Sequence, residues 1–222
     1  MRYLKSAHCG LLGKPRDILV LGPSLIVSSY SHNALFMVDR ATFELRGVLR
    51  LPHMVNPRGL YARNEKLYVA CYGNPIGRVV IMSLRSLEEV SHFSVPRPRG
   101  IIVVGDRVYL TEVGQNRIGV YRTNGKCDTV LARGLLCRPR GLTRDARKMY
   151  VADSGSDRIV AMTFGGTLLF VVGGIRNIND VSYCNGRLYT RPSGTRSASC
   201  AFVTDVSNDE SVYPTGAVIS PC

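Results

Sequence analysis

A tripeptide that begins with Pro-Arg recurs along this chain at nearly constant intervals, and this repeat limits the possible folds more than any other feature. The Pro-Arg openings lie at Pro15, Pro57, Pro98 and Pro139, in steps of 42, 41 and 41 residues. The centre of an apolar trio, such as "LYV" in the second copy, follows the third residue of each tripeptide by nine positions. The same rule places a fifth opening at "IND", residues 178–180. A repeat of this length indicates a solenoid or a radial array of sheets.

Turn signals divide each copy into short apolar stretches. In the fourth copy, "GLTR", "KMYVAD", "RIVAMTF" and "TLLFVVGG" are separated by "DAR", "SGSD" and "GG". Four strands in about 40 residues are typical of an antiparallel sheet built from hairpins. No helical periodicity interrupts the pattern, so we expect an all-β chain. A single twisted sheet cannot bury both of its faces and has to stack on neighbours around an axis.

The repeats resemble a known family. "PRGLTRDARKMYVADSGSDRIVAMTFGGTLLFVVGG" resembles an NHL repeat, and "LYVACYGNPIGRVVIMSLRSLEEVSHFSVPRPRGIIV" is similar to the related YVTN-type repeats. The resemblance covers nearly the whole chain and is strongest in copies two to four. It implies a β-propeller with four-stranded blades.

The repeat also predicts the domain organisation. We expect one propeller domain over residues 1–222, with about five blades that start near residues 15, 57, 98, 139 and 178. NHL propellers usually have six blades, so a sixth blade stays open as an alternative. Residues 1–14 are the expected closing strand of the ring, and the tail "SVYPTGAVISPC" competes for the same edge.

The charge of the chain is strongly positive. It carries 29 basic residues against 16 acidic ones, a formal net charge of +13, and 24 of the basic residues are Arg. The planar guanidinium binds carboxylate or phosphate at two points, so this composition favours a polyanionic partner. Compositional bias of the genome is the alternative explanation.

Cysteine usage and hydropathy indicate the compartment. The seven cysteines are irregularly spaced and include no CxxC pair, so we expect reduced, mostly buried thiols rather than a disulfide framework or a structural zinc site. The first residues contain no apolar stretch of secretory-signal length, and nowhere do 18 apolar residues run together. The expectation is a soluble, intracellular protein without a membrane span, which includes a component of a ribonucleoprotein or a virion.

The loops that lead into each blade carry a repeated basic pattern. In a propeller these loops open on one face near the channel, so the chain is expected to form a basic collar there. The predicted members are Lys14, Arg16, Arg58, Arg97, Arg99, Arg138 and Arg140. Such a patch suits phosphates or acidic side chains. The alternative is structural, because Pro-Arg is frequent in these repeats and the Arg stem can pack against a neighbouring blade.

The loops between the second and third strands are expected to open on the same face. They would add Tyr30, Tyr72, Arg191 and Arg196. Aromatic rings interleaved with Arg suit single-stranded nucleic acid, because its bases stack while its backbone is neutralised. Some NHL propellers bind RNA through such a face, so the resemblance allows this function; ordinary contacts with a protein partner are the alternative.

Residues suited to catalysis or metal binding are scattered. His8, His32, His53 and His92 fall at non-equivalent positions, and no metal-ligand spacing is present. Asp17 and Asp180 take the place of the repeat Gly, where salt bridges or backbone caps are more usual than a cation site. Glu112 and Asp153 end second strands, where a carboxylate commonly caps the following turn. We expect no catalytic residues, no metal and no cofactor.

Three functions are therefore consistent with the sequence. The first is a non-enzymatic binding or scaffold propeller whose Arg-rich face engages an acidic protein partner or a macromolecular assembly. The second is a propeller that binds single-stranded nucleic acid, RNA rather than DNA. The third is a lactonase-like or lyase-like propeller enzyme, which the related families admit but do not require.

Overall fold

The computed structural model describes residues 12–192 and 201–206. The chain divides into two compact units, Met1–Pro98 and Arg99–Cys222. None of the described residues belongs to a helix that is long and apolar enough to cross a membrane. The expected closing strand at 1–14 and the competing tail lie mostly or wholly outside these ranges, so ring closure and the single domain stay predictions.

The first unit contains two four-stranded antiparallel sheets. The first blade consists of β1 (Pro15–Leu21), β2 (Ser24–Ser29), β3 (Ala34–Asp39) and β4 (Leu45–Leu49), and the second of β5 (Pro57–Arg63), β6 (Lys66–Cys71), β7 (Ile76–Ser83) and β8 (Glu89–Pro96). Within each of these two sheets, every strand pairs with the next one along the chain. This is the hairpin succession that the turn signals predict.

The second unit repeats this arrangement. The third blade consists of β9 (Pro98–Val104), β10 (Arg107–Glu112), β11 (Arg117–Arg122) and β12 (Cys127–Leu131). The fourth consists of β13 (Pro139–Arg144), β14 (Lys148–Asp153), β15 (Arg158–Thr163) and β16 (Leu168–Val172). The fifth contains β17 (Ile178–Cys184), β18 (Arg187–Pro192) and β19 (Ala201–Asp205). Three strands of the last sheet fall within the described residues. The first strands of the five sheets thus begin at the four Pro residues and at Ile178, where the sequence repeat places them.

Burial explains why the strands read as short apolar runs. The middle strands β6 and β14 are almost entirely buried, whereas the outer strands β4 and β16 are partly or largely accessible. Stacked blades cover the faces of each other's middle strands and form a core between them. In the first unit, Leu35 and Leu67 share such a core. Tyr150 and Leu188 share the corresponding core of the second unit.

A β-bulge interrupts the start of the first strand in several blades. In the second blade, Pro57 pairs with Cys71 and Leu60 with Val69, so two residues stand opposite one. The first and fourth blades carry the same irregularity after Pro15 and Pro139. A bulge re-aims the side chains that it contains. The Arg of the repeated Pro-Arg opening therefore lies at the irregular position of its strand.

Candidate functional site

Four side chains of the first unit form a compact group of guanidinium and phenol rings, which we call the Arg–Tyr cluster: Arg16, Tyr30, Arg58 and Tyr72. The Cζ atom of Arg58 lies 4.8 Å from the ring centroid of Tyr30 and 4.5 Å from that of Tyr72. The Cζ atom of Arg16 lies 5.1 Å from the ring centroid of Tyr30. All four side chains are half-buried. These distances are within the range of cation–π contacts.

The environment of Arg58 disfavours its positive charge. Burial lowers the pKa of Arg58 to about 10, and the charge of Arg16 contributes to the same shift. The Nε atom of Arg58 is buried and forms no hydrogen bond to the described residues. The guanidinium is still charged at neutral pH, because a pKa near 10 lies well above 7. An anion placed beside it would relieve both effects.

The backbone around Arg58 is fixed by the preceding blade. The Ser28 hydroxyl donates a hydrogen bond to the Arg58 carbonyl at 2.6 Å. The Asp17 carboxylate accepts one from the Leu60 N–H at 2.8 Å.

The other carboxylate that replaces the repeat Gly, that of Asp180, accepts a hydrogen bond from the N–H of Val181 at 3.0 Å. Both carboxylates therefore cap backbone groups, which is the structural reading favoured by the sequence.

The other predicted collar residues have different surroundings. In the first unit Lys14 is exposed, and Arg97 donates from Nε to Asn74 Oδ1 at 2.9 Å. In the second unit Arg99 is half-buried, Arg138 is exposed, and Arg140 donates to Asn179 Oδ1 at 2.9 Å. The structure thus brings Arg16 and Arg58 together, and a seven-residue collar stays a prediction. For Arg191 only the backbone is described, in β18, and Arg196 lies outside the described residues.

The residue that precedes the blade opening has left-handed backbone in four copies. Its φ is +52° at Asn56, +37° at Arg97, +51° at Arg138 and +56° at Asn177. In three of these the residue's N–H donates to a side chain of the preceding hairpin loop, as Arg138 does to Asn116 Oδ1 at 2.8 Å. Left-handed backbone suits Asn better than Arg. Two copies therefore place Arg where the fold favours Asn.

Replacing Arg138 with Asn is expected to stabilise the protein. The left-handed conformation costs an ordinary residue roughly 1 kcal/mol more than Asn, so the free energy of unfolding should rise by about 0.5–1 kcal/mol. Urea denaturation of Arg138→Asn and Arg138→Ala would measure this. Both variants lose the same charge, so only the Asn variant should gain stability; equal effects of the two would contradict the backbone argument.

Two carboxylates that end second strands are buried in ion pairs. Glu112 Oε2 accepts from Arg117 Nε at 2.6 Å, and Asp153 Oδ2 accepts from Arg158 Nε at 2.8 Å. Glu112 also accepts from the hydroxyl of Tyr121, and burial together with this contact raises the pKa of that phenol. The sequence predicts turn caps at these positions and misses the Arg partners. Asp153 Oδ1 accepts at 2.5 Å from the N–H of Cys137, which lies in the connection before β13 and not in the turn that follows Asp153.

The cysteines do not follow the sequence expectation throughout. Among the four described ones, all unbridged, Cys71 alone is buried, and Cys127 and Cys184 are exposed. The expectation of mostly buried thiols is therefore wrong for this group. Burial raises the pKa of the Cys71 thiol to about 12, so this residue is an inert core group rather than a nucleophile.

A further group is formed by His53, Glu89 and His92. The two imidazole Nδ1 atoms lie 2.7 and 2.8 Å from the same oxygen, Glu89 Oε1. The sequence treats these histidines as isolated, because one lies at a blade junction and the other in an outer strand. The fold nevertheless brings them together. His32, by contrast, contacts the Ser29 hydroxyl at 2.9 Å.

Comparison with known proteins identifies the fold. No family model and no curated protein matches the sequence. Solved structures that resemble the chain include the Kuenenia stuttgartiensis hydrazine synthase, at 19% identity over 85% of this chain and 58% of that one, with a TM-score of 0.66. Virginiamycin B lyase from Staphylococcus aureus matches at 16% identity over 79% of this chain and 62% of that one, with a TM-score of 0.61. A nidogen/laminin complex matches at 16% identity over 78% and 68%, with a TM-score of 0.65.

These likenesses show that the fold is a β-propeller, as the repeat and the sheets indicate. The chain spans less than two thirds of the length of the first two proteins, 58% and 62%. At these low identities the likeness extends to the fold alone. The NHL type of the repeats stays a prediction.

Proposed function

We propose that this protein is a non-enzymatic binding propeller that uses the Arg–Tyr cluster to hold an acidic segment of a partner protein. The observation that carries the proposal is the state of Arg58. Its guanidinium is held between two phenol rings, beside the second guanidinium of Arg16. None of the described carboxylates forms an ion pair with Arg58.

An anion would offset the cost of this arrangement. Two like charges near each other repel, and burial deprives them of water, as the lowered pKa of Arg58 reflects. A carboxylate that accepts from both guanidiniums gains charge-assisted hydrogen bonds, each contributing about 1.5–3 kcal/mol. The tyrosine rings fix the guanidinium planes, so less side-chain entropy is lost on binding. The cluster therefore suits a carboxylate-bearing ligand.

The rings of Tyr30 and Tyr72 are already in contact with the protein's own guanidinium groups, which favours an acidic protein over RNA as the partner. Binding of single strands depends on bases that stack on aromatic rings. Tyr30 already carries two guanidiniums, and Tyr72 carries one. The rings therefore contact guanidinium groups of the protein itself at the positions where bases would stack. The net charge of +13 adds long-range attraction for an acidic partner.

The similar folds do not decide between binding and catalysis. They include a lyase and a complex of nidogen with laminin. Function on a propeller depends on its site rather than on its fold. The buried carboxylates are held in ion pairs with Arg117 and Arg158, which is a structural role. The two guanidiniums of the Arg–Tyr cluster support anion binding, and the NHL-type assignment of the repeats forms part of this proposal.

Replacing Arg58 with Gln is expected to weaken the binding of an acidic peptide at least tenfold. Fluorescence anisotropy with a labelled Glu-rich peptide, measured across a salt series, provides the dissociation constant. Arg85→Gln is the matched control, because it removes the same charge from an exposed side chain (84% accessible) of the same unit and should change binding little. Arg58→Lys keeps the charge but loses the planar fork of the guanidinium, so its affinity for the peptide should fall between those of Arg58→Gln and Arg85→Gln.

Two results would overturn the proposal. One is equal peptide affinity for Arg58→Gln and Arg85→Gln when both variants are folded by circular dichroism. The other is a random single-stranded RNA that binds more tightly than the peptide at physiological salt and depends on Arg58. That second outcome would establish a nucleic-acid-binding propeller instead. Heparin serves as the nonspecific polyanion in the same series.

A further inference from the structure

The group of His53, Glu89 and His92 joins two distant parts of the first unit. His53 lies in the connection between β4 and β5, which links the first blade to the second. Glu89 and His92 lie in β8, the outer strand of the second blade. The contact between His53 and Glu89 therefore spans 36 positions of sequence. This group is separate from the Arg–Tyr cluster in its residues and in its chemistry.

The geometry of the group is convergent. One ligand atom from each of the three residues lies within 4.8 Å of the others. The imidazole rings of His53 and His92 are stacked, with centroids 3.7 Å apart and an angle of 29° between the planes. Both rings direct Nδ1 to Glu89 Oε1. The rings are thus aligned with their nitrogens on the same side, next to one carboxylate.

Both imidazoles contact the same oxygen of the Glu89 carboxylate. Its Oε2 atom is buried and has no hydrogen-bond partner among the described residues. A buried carboxylate oxygen without a partner is costly. A cation between the carboxylate and the imidazoles would remove that cost.

We propose that His53, Glu89 and His92 form a zinc site. Two imidazoles and one carboxylate are a typical three-residue ligand set for Zn²⁺, whereas Mg²⁺ and Ca²⁺ prefer oxygen ligands throughout. Zn²⁺ binds the neutral ring, so coordination through Nδ1 places the ring proton on Nε2. The side chains of His53 and His92 are 41% and 38% accessible, so water reaches the fourth position.

Two of the three distances between ligand atoms are already close to those of a zinc site. Ligand atoms of a tetrahedral zinc ion lie about 3.3 Å apart, given bonds of roughly 2.0–2.2 Å. The measured N···O distances of 2.7 and 2.8 Å are shorter by about half an ångström. Rotation of the two partly exposed imidazoles would adjust these distances and the third one, between the two ring nitrogens. The bound ion would then tie the interblade connection to the outer strand.

Zinc titration of the full-length, reduced protein tests this site. Isothermal titration with ZnCl₂ is expected to give one site per chain, and Zn²⁺ should raise the melting temperature. His92→Gln and Glu89→Gln should each weaken the affinity at least tenfold. His32→Gln is the matched control, because His32 contacts Ser29 rather than this group. Co²⁺ in place of Zn²⁺ should give visible absorption bands that are lost in His92→Gln.

Exposed thiols are the main competing ligands, so the titration is repeated with Cys127→Ser and Cys184→Ser. Retained zinc affinity in these variants supports the proposed site. The proposal is overturned if the protein shows no saturable zinc binding. It is also overturned if His92→Gln and Glu89→Gln bind zinc like the parent, or if binding disappears with the cysteines. None of these results bears on Arg58 or on peptide binding.

Discussion

Replacement of Arg158 by Met is expected to lower the free energy of unfolding by about 3–5 kcal/mol, the cost of leaving one member of a buried ion pair alone. The Asp153 side chain is fully buried, and that of Arg158 is 8% accessible. Arg158 also donates to the Leu135 carbonyl at 2.6 Å. Its loss therefore strands a carboxylate and removes a donor from a backbone carbonyl. Urea denaturation measures the change.

A neighbouring ion pair provides the control for this substitution. Arg122 pairs with Asp128 at 2.8 Å, but its side chain is 46% accessible. Removal of a solvent-exposed pair has little effect on stability, so Arg122→Met should be mild. Adding Asp153→Asn to Arg158→Met removes the stranded charge and should recover part of the loss. Similar stabilities of Arg158→Met and Arg122→Met would contradict the buried-pair argument.

The architecture could be predicted because the repeat marks it locally. A Pro opens the first strand of four of the five sheets, and the centre of an apolar trio follows the third residue of each opening by nine positions, so this spacing reveals where the blades begin. Proline begins a strand without the loss of an interior ladder hydrogen bond. The ion pairs could have been read from the same hairpins. Glu112 stands opposite Arg117, and Asp153 opposite Arg158, in the ladders of consecutive strands.

The candidate sites could be predicted only in part. The repeat places four side chains on one face, because their loops occupy equivalent positions in successive copies: Arg16, Arg58, Tyr30 and Tyr72. The structure brings these four side chains into contact. The residues of the proposed zinc site have no such signal. His53 and His92 occupy non-equivalent positions, so the repeat does not relate them. Their contact depends on the path of one interblade connection, which a single sequence does not specify.

The Gly that ends the Pro-Arg-Gly opening lies where two blades pack closely, so its replacement should have a large effect on the free energy of unfolding. A Cβ atom at Gly100 would lie 2.6 Å from the Arg140 carbonyl oxygen and 2.7 Å from the Leu142 nitrogen. Real Cβ atoms do not approach backbone that closely, so the first strands of these two blades would have to separate. At Gly141, an added Cβ would meet Asp180 in the same way. Gly at these positions therefore allows neighbouring first strands to pack closely.

Gly100→Ala is expected to lower the free energy of unfolding by about 3 kcal/mol, the upper end of the usual cost of adding atoms to a packed core. The obstructing atoms belong to the backbone of β13, so they cannot move aside as a flexible side chain does. The Thr111 hydroxyl, which accepts from the Gly100 N–H at 2.8 Å and donates to the Arg140 carbonyl at 2.6 Å, would be disturbed as well. Urea denaturation of Gly100→Ala and Gly173→Ala makes the comparison, since a Cβ at Gly173 meets nothing within 4 Å. Gly173→Ala should be neutral or slightly stabilising because it restricts the unfolded chain. Equal stability of the two variants would mean that the repeated Gly does not set the distance between these blades.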